Sequence, residues 1–294
     1  MKVLITGASG SIGRRLVTKL SGYSKYDIKE LVRVEKMIEN SETSIEGISG
    51  DLGQVDSLVR ATTGVETIIH LAGITHTHTT SLYYQINLLG TKNLIQAAEQ
   101  TGVRQFIFLS TRTASYDGGG YARSKLLAEQ SLIRSNLNWV IIRPAEVYGT
   151  DSEHGIQKII NSVNNRRILP IVGNGRFTLA PVFVDDLVDG IASTVGNHQA
   201  VEKIFVLQGP REYTFVEMVG VLEGQLEKKT LKIFLPVLIV KILVYFLYLL
   251  RSKLIYRDQI PRLLCTKSKG DYSFEYLGIR PRRLEDAIKI IFHS

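Results

Sequence analysis

The stretch Thr6-Gly7-Ala8-Ser9-Gly10-Ser11-Ile12-Gly13 decides how the rest of the chain is read. It follows a short apolar run, Lys2–Thr6, and leads into an amphipathic one, Ile12–Leu20, so it is a turn between a buried strand and a helix. Gly7 permits the sharp turn, Gly10 removes the Cβ where backbone must approach a ligand, and Gly13 lets the helix pack close to the strand. The first N–H groups of that helix have no intrahelical acceptor and make a ready phosphate site. Three spaced glycines alone are a weak signal, but between a strand and a helix they form the turn that cradles a dinucleotide pyrophosphate. Gly7, Ser9, Gly10, Ser11, Ile12 and Gly13 are therefore candidate cofactor-binding residues.

Outward from this turn, strand and helix patterns alternate. Strands are expected at Ile28–Arg33, Thr67–Ala72, Gln105–Ser110 and Trp139–Arg143, the last stopped by Pro144. Helices are expected at Asp56–Thr62, Leu82–Thr101 (closed by Gly102) and Tyr121–Ser135. After Gly149 the rhythm loosens. Helices are expected at Ile156–Val163, Asp185–Val195 and Thr214–Gly224, the last with a capping box of Thr214 and Glu217. Pro181–Val184 and Ile204–Gln208 read as short strands. The fold class is α/β: a Rossmann-type doubly wound parallel sheet over residues 1–150, with a smaller C-terminal substrate lobe over 151–294 interleaved with it.

At 294 residues the chain is long enough for a substantial core, and a lone cysteine, Cys265, excludes an intramolecular disulfide and a cysteine-rich zinc site. The net charge of +8 is uneven. Between Arg251 and Arg283 nine Lys or Arg face three acids, which is either a solvated surface or a contact for phosphates or lipid. No recognition helix, finger or aromatic platform accompanies these charges, so nucleic acid is not expected as a partner. The apolar part of the N-terminus is too short for a signal peptide. Leu231–Leu250 is almost wholly apolar, broken by Lys232, Pro236 and Lys241. Three placements stay open for it: a buried or substrate-covering helix, an interfacial helix on a membrane, and a true span. The mid-segment Lys241 weighs against the span, at a cost of about 2.5–3.5 kcal/mol.

Further site residues follow from the βα turns. Arg33 closes the second strand, where a carboxylate would bind the ribose hydroxyls of NAD and an arginine suits the 2′-phosphate of NADP. Glu30 and Glu35 flank it, and NADP is favoured over NAD. Asp51-Leu52 and Leu71-Ala72-Gly73 end the next strands along the cofactor edge. Asp51 is read either as an acceptor for the adenine amino group or as a helix cap. Tyr121 and Lys125 lie four residues apart on one helix face. An ammonium there lowers the phenol pKa, and a phenol so tuned can move a proton while a nicotinamide moves a hydride. Ser110 and Thr111 end a strand, where hydroxyls can hold a substrate oxygen. His76 and His78 form a His-x-His without further ligands nearby, so no metal site is expected. Glu146 is read as a local hydrogen-bonding group.

Together these pieces resemble the extended or atypical short-chain dehydrogenases/reductases, in the NAD(P)-dependent epimerase/dehydratase group. The resemblance spans nearly the whole chain: Thr6–Gly13, Asp51-Leu52, His70–Gly73, Asn87 in Asn-Leu-Leu-Gly-Thr, Ser110-Thr111, Tyr121–Lys125, Arg143–Gly149, Pro181–Asp186 and Tyr276–Pro281. It implies that Thr111, Tyr121 and Lys125 take the catalytic positions, that Asn87 shapes the active site, and that Pro144 and Val147 lie near the nicotinamide. Three departures stand out. Only nine residues separate Thr111 from Tyr121, with Gly118-Gly119-Gly120 expected to supply slack. Arg112-Thr113 replaces the Asp-Glu pair of many dehydratases. Leu179 stands where sugar-nucleotide members carry a diphosphate-binding arginine, for which Arg176 is a substitute from another place. Ala180–Asp186 and Gln208–Phe215 also resemble the branch of the accessory NAD(P)-binding subunit of respiratory complex I.

The expected activity is that of an NAD(P)-dependent epimerase or reductase acting by hydride transfer on a sugar, nucleotide- or polyprenyl-phosphate-linked. Two alternatives are a non-catalytic NADP(H)-binding assembly or sensor protein and a hydroxysteroid-type lipid dehydrogenase. The intact Tyr-Lys pair favours an enzyme. A small-molecule substrate and a cytoplasmic location are expected, with peripheral contact at the inner face of a membrane and a homodimer left open.

Overall fold

The computed structural model describes residues 1–33, 45–150, 155–165, 168–249, 256, 258–268 and 273–293. The chain opens as β1 (Lys2–Thr6), α1 (Ser11–Ser21), β2 (Asp27–Val32), β3 (Glu46–Ser49), α2 (Val55–Thr62) and β4 (Thr67–His70). A short α3 (Thr80–Leu82) runs into a π-helical turn (Tyr83–Leu89) and then α4 (Gly90–Thr101). β5 (Gln105–Leu109), α5 (Gly119–Ile133), β6 (Asn138–Pro144), β7 (Val147–Tyr148) and α6 (Gly155–Asn165) follow. Next come β8 (Ile168–Val172), β9 (Thr178–Leu179), β10 (Val182–Phe183), α7 (Val184–Thr194), β11 (Lys203–Leu207), β12 (Tyr213–Thr214) and α8 (Phe215–Gln225). β13 (Leu231–Leu235), α9 (Val237–Leu249), α10 (Gln259–Leu264) and α11 (Leu284–His293) complete the order.

Seven strands form one parallel sheet in the order β11-β6-β5-β4-β1-β2-β3. Strands covered on both faces read as continuous apolar runs, and every residue of β4 and β5 is buried. One face packs on α1 and α7 through Leu16, Val17, Leu187 and Ile191. The other packs on α2, α4 and α5 through Leu58, Leu94, Ala98, Ala128 and Leu132. A second core of Ile160, Met218, Leu222 and Ile288 joins α6, α8 and α11. The strand order reverses between β1 and β4, and the crevice beyond their carboxyl ends is where this architecture binds ligands.

The predicted elements are present with shifted ends. Thr214 caps α8 as expected: its Oγ1 accepts from Glu217 N at 3.2 Å, and the Glu217 carboxylate accepts from Thr214 N at 2.7 Å. The segment expected as one helix, Leu231–Leu250, is not one. Leu231–Leu235 is a strand paired in parallel with β8, and the helix begins only at Val237. Pro236 separates the two, since it offers no N–H to either element. Leu250 lies outside the described residues, among which no helix is long and apolar enough to cross a membrane. Nor is α9 a buried helix, because only Val240 and Val244 of its described side chains are packed away.

Part of the basic C-terminal stretch is ion-paired within the chain. Arg282 pairs with Asp186 at 2.9 Å, Arg283 with Asp286 at 2.9 Å, and Arg262 with Asp258 at 3.4 Å. Arg251, Lys253, Arg257, Lys269 and Asp271 lie outside the described residues.

Candidate active site

Gly7 has φ +76°, and a Cβ on it would stand 2.7 Å from Ala72 N. The first βα turn thus packs directly on the turn that follows β4. A Cβ on Gly13 would run into the carbonyls of Gly7 and Ala8, which seats α1 on its own turn. Gly10 is the N-cap residue of α1 and brings no side-chain cap, leaving the first N–H groups open. Two adjoining clefts meet here. One, of about 590 Å³, is lined by Gly7, Ser9, Gly10, Arg33, Asp51, Leu52, Leu71, Ala72 and Gly73. The other, of about 410 Å³, is lined by Ser11, Ile12, Gly13, Ser110, Thr111, Tyr121, Lys125, Pro144 and Val147, and shares Gly7, Gly10, Leu71 and Gly73 with the first. An open helix N-terminus at the junction of two clefts, floored by glycines whose Cβ would collide, suits a dinucleotide.

Each candidate residue takes a defined place. Arg33 is exposed on the rim, while Glu30 is buried in the same cleft and its carboxyl is pushed up by burial. Glu35 lies outside the described residues. Asp51 does not cap α2, whose N-cap is Gln54; its Oδ1 accepts from Gly53 N at 2.6 Å. Asn87 stands behind the cleft in the π-helical turn. Its Oδ1 accepts from Ile74 N at 2.8 Å and its Nδ2 donates to Ile74 O at 3.0 Å, so it fixes the backbone after Gly73. π-turns of this kind recur at functional sites.

His70 extends that support, a role its sequence position did not disclose. Its Nδ1 is 2.6 Å from Thr6 Oγ1 and its Nε2 2.9 Å from Thr91 Oγ1, which in turn donates to Asn87 O. Burial, with a smaller push from Lys125, lowers the His70 pKa to about 3, so the ring is neutral and structural.

The reacting end is built by α5 and the loop after β5. Tyr121 and Lys125 are one turn apart and both buried. Burial pushes the Tyr121 phenol up; the Arg262 guanidinium and a side-chain hydrogen bond with Thr111 pull it down. Arg262 lies 4.4 Å from the centre of the Tyr121 ring. Arg262 is thus a second cation beside the phenol, besides the Lys125 that the sequence pattern pointed to. Lys125 Nζ sits 4.2 Å over the Phe108 ring, and burial depresses its pKa to about 7 against the pull of Glu129. Ser110 Oγ is buried with no hydrogen-bond partner among the described residues.

Arg262 and its partner Asp258 were legible only as members of the basic stretch. In the fold, α10 closes over the start of α5: both Asp258 carboxylate oxygens lie 3.4 Å from Tyr121 N, and Arg262 Nη2 donates to Thr75 O at 2.8 Å. The triglycine also lets neighbouring side chains approach closely. A Cβ on Gly119 would strike the Asp258 carboxylate, and one on Gly120 would lie 2.8 Å from Thr80 Cγ2.

A third cavity, of about 500 Å³, opens from Thr111 and Tyr121 toward Phe177, Leu179, Phe215 and Val240. Its wall is largely apolar, and His76 and Arg262 contribute polar groups. Leu179 is buried in this wall, so the side chain that replaces the expected arginine is part of the greasy surface. Arg176 instead lines a neighbouring cavity of about 750 Å³ with Arg112 and Lys267. Arg112 is buried, donating to Glu212 at 2.8 Å and Gln208 at 3.1 Å and pairing with Glu146 at 3.4 Å. Glu146 also accepts from Ala180 N at 2.9 Å, the local role expected of it. His76 and His78 pack against the Tyr256 ring, with centroids 5.2 and 4.7 Å away. Among the described residues no group of three or more potential ligands could hold a metal ion.

Known proteins resemble this chain in sequence and fold. The chain is 26% identical to the UDP-glucose 4-epimerase of Vibrio cholerae, across 98% of this chain and 93% of that protein. It is 26% identical to the N-acetyl-alpha-D-glucosaminyl-diphospho-ditrans,octacis-undecaprenol 4-epimerase of Escherichia coli O157:H7, across 80% of this chain and 75% of the relative. The fold matches the UDP-glucuronic acid 4-epimerase from Bacillus cereus, solved with UDP-glucuronic acid and NAD, with a TM-score of 0.69 at 22% identity over 80% of this chain and 86% of that one. The model of the NAD dependent epimerase/dehydratase family matches residues 3–207, and the chain belongs to that family.

Proposed function

We propose that this chain is an NAD(P)-dependent epimerase or oxidoreductase acting on a diphosphate-linked sugar, carried on a nucleotide or a polyprenyl group. The observation that carries the reading is that Tyr121 and Thr111 line both the dinucleotide cleft and the apolar cavity, with Ser110 beside them in the cleft. Gly7, Ser9, Gly10, Ser11, Ile12 and Gly13 would hold the pyrophosphate, with Asp51, Leu52, Leu71, Ala72 and Gly73 along the adenosine side. Pro144 and Val147 would border the nicotinamide. Arg33 on the rim favours a 2′-phosphate, hence NADP, although the B. cereus structure holds NAD. A bound nicotinamide supplies the acceptor and donor of hydride.

The chain's own groups handle the proton and the geometry. Tyr121 exchanges a proton with the carbinol oxygen of the substrate. Thr111 supports the phenol, and Ser110 has a hydroxyl free to donate to that same oxygen. Lys125, buried one turn on with its pKa lowered to about 7, would bind the cofactor ribose. Arg262 offsets part of the burial penalty on the phenolate, so the base works nearer neutral pH. Arg112 and Thr113 stand where many dehydratases carry an Asp-Glu pair, and Arg112 is committed to Glu146, Gln208 and Glu212, which favours epimerisation or reduction over dehydration. Arg176 and Lys267 supply cations for a diphosphate from the adjoining cavity.

The test is turnover of UDP-sugars and polyprenyl-diphosphate sugars with NAD⁺ and with NADP⁺, in the wild type and in Tyr121→Phe. The variant is expected to lose at least about 10²-fold in kcat while keeping its cofactor affinity. Full activity in Tyr121→Phe would sink the assignment. Tight cofactor binding by a wild type that turns over neither sugar class would replace it with a non-catalytic nucleotide-binding role.

A further inference from the structure

Half of the exposed large apolar side chains among the described residues, eight of sixteen, fall between Leu231 and Tyr245. They include Leu231, Phe234, Leu238, Ile239, Ile242 and Leu243, with Leu238 69% exposed. β13 and the first turns of α9 thus form one patch, which Ile168 extends because it pairs in register with Leu231. Only a narrow stripe of α9 is packed down: Val240 and Val244, against Ile260, Val172 and Leu235. A contiguous apolar surface of this kind marks an interaction site.

The charges select the partner. From Lys228 to Leu249 the chain carries four lysines and no acid, and the next carboxylate is Asp258. Lys232 is paired with Glu223 at 2.7 Å, while Lys228, Lys229 and Lys241 are exposed, Lys241 at the margin of the apolar arc of α9. A second copy docked face to face would add its own lysines to the contact and, from this stretch, no carboxylate to answer them. A neutral bilayer would take the apolar groups and leave the cations unanswered. The 13 described residues of α9 are too few to cross a bilayer core of roughly 30 Å. An apolar face studded with lysines is the pattern of a helix lying in the headgroup layer of anionic lipid.

We propose that the β13–α9 face docks on an anionic membrane surface, with α9 in the plane of the interface. Val240, on the inner stripe of the same helix, lines the cavity that reaches Thr111 and Tyr121. Docking therefore brings the mouth of the reaction cavity to the lipid surface, where a lipid-carried sugar is presented. That last consequence rests on the proposed catalytic reading; the docking does not.

The experiment is flotation of the purified full chain with vesicles of phosphatidylcholine alone and of phosphatidylcholine mixed with phosphatidylglycerol. The wild type is expected to float with the anionic vesicles only, and less as salt is raised. Lys241→Glu should weaken binding roughly thirtyfold through charge reversal. The double variant Leu238→Asp/Ile242→Asp should abolish it with an unchanged thermal midpoint, since both side chains already face solvent. Absence of flotation with anionic vesicles, or equal binding by the double variant, overturns the proposal. So does a wild-type dimer in sedimentation velocity that the double variant converts to monomer. Tyr121→Phe should float as the wild type does, which separates failure of the docking from failure of the catalytic reading.

Discussion

Gly7 and Gly102 have nearly the same backbone, φ +76° and +74°, in opposite surroundings. A Cβ on Gly7 would meet Ala72 N at 2.7 Å and the carbonyl carbon of Leu71 at 2.9 Å, whereas one on Gly102 would have nothing within 4 Å. Alanine at Gly102 therefore adds only the strain of a left-handed residue, about 1–2 kcal/mol. Alanine at Gly7 adds the same strain plus a backbone clash of the overpacking kind, about 1–3 kcal/mol more. Because the clash pushes the glycine turn off the turn after β4, Gly7→Ala should also lose dinucleotide binding, and Gly102→Ala should keep it. Urea unfolding followed by the fluorescence of the single tryptophan, Trp139, gives the stabilities, and cofactor titration gives the affinities. Equal destabilisation of the two variants with intact binding in both would refute the claim that contact between the turns, and not φ alone, requires glycine at position 7.

Two further outcomes follow from the charges around α5. Lys125 has a folded pKa of about 7 against its ordinary 10.5, so between those values the unfolded chain holds a proton that the folded chain lacks. Stability of the cofactor-free protein should therefore rise with pH across that window, by at most about 1.4 kcal/mol per pH unit, and the rise should vanish in Lys125→Met; urea midpoints at several pH values measure it. Arg262→Gln removes the cation 4.4 Å from the Tyr121 ring centre, a bare Coulomb energy of about 4 kcal/mol at an effective dielectric of roughly 20, which Asp258 partly cancels. The phenol pKa should rise, moving the base-dependent limb of the kcat profile to higher pH and lowering kcat at neutral pH roughly tenfold; a profile that does not move would mean Arg262 only packs.

Most of the sheet was legible because parallel strands buried on both faces are continuous apolar runs, and the helices between them carry their own periodicity and caps. The glycine turn was legible for the same local reason: Gly7, Gly10 and Gly13 act on backbone within a few residues of themselves. What failed to show was non-local. Arg262 and Asp258 reach Tyr121 across more than a hundred residues, and an i,i+4 acid–base pair announces an ion pair on a helix but not what the helix covers. Leu231–Leu235 needed β8 as a pairing partner before it could be a strand, so its mostly apolar run read as helix despite Lys232 and Pro236. The π-helical turn around Asn87 has no periodicity signature over seven residues.

β11 lies beyond residue 200, yet it is hydrogen-bonded along β6 from Lys203↔Val140 to Leu207↔Pro144. During synthesis the first six strands leave the ribosome well before their seventh neighbour does. Until then the apolar strand Asn138–Pro144 presents an unpaired edge, the kind of surface on which partly made chains aggregate. The two halves of the sequence are therefore not exchangeable modules. Any transplant of a new C-terminal half onto this glycine turn must bring its own version of that last strand.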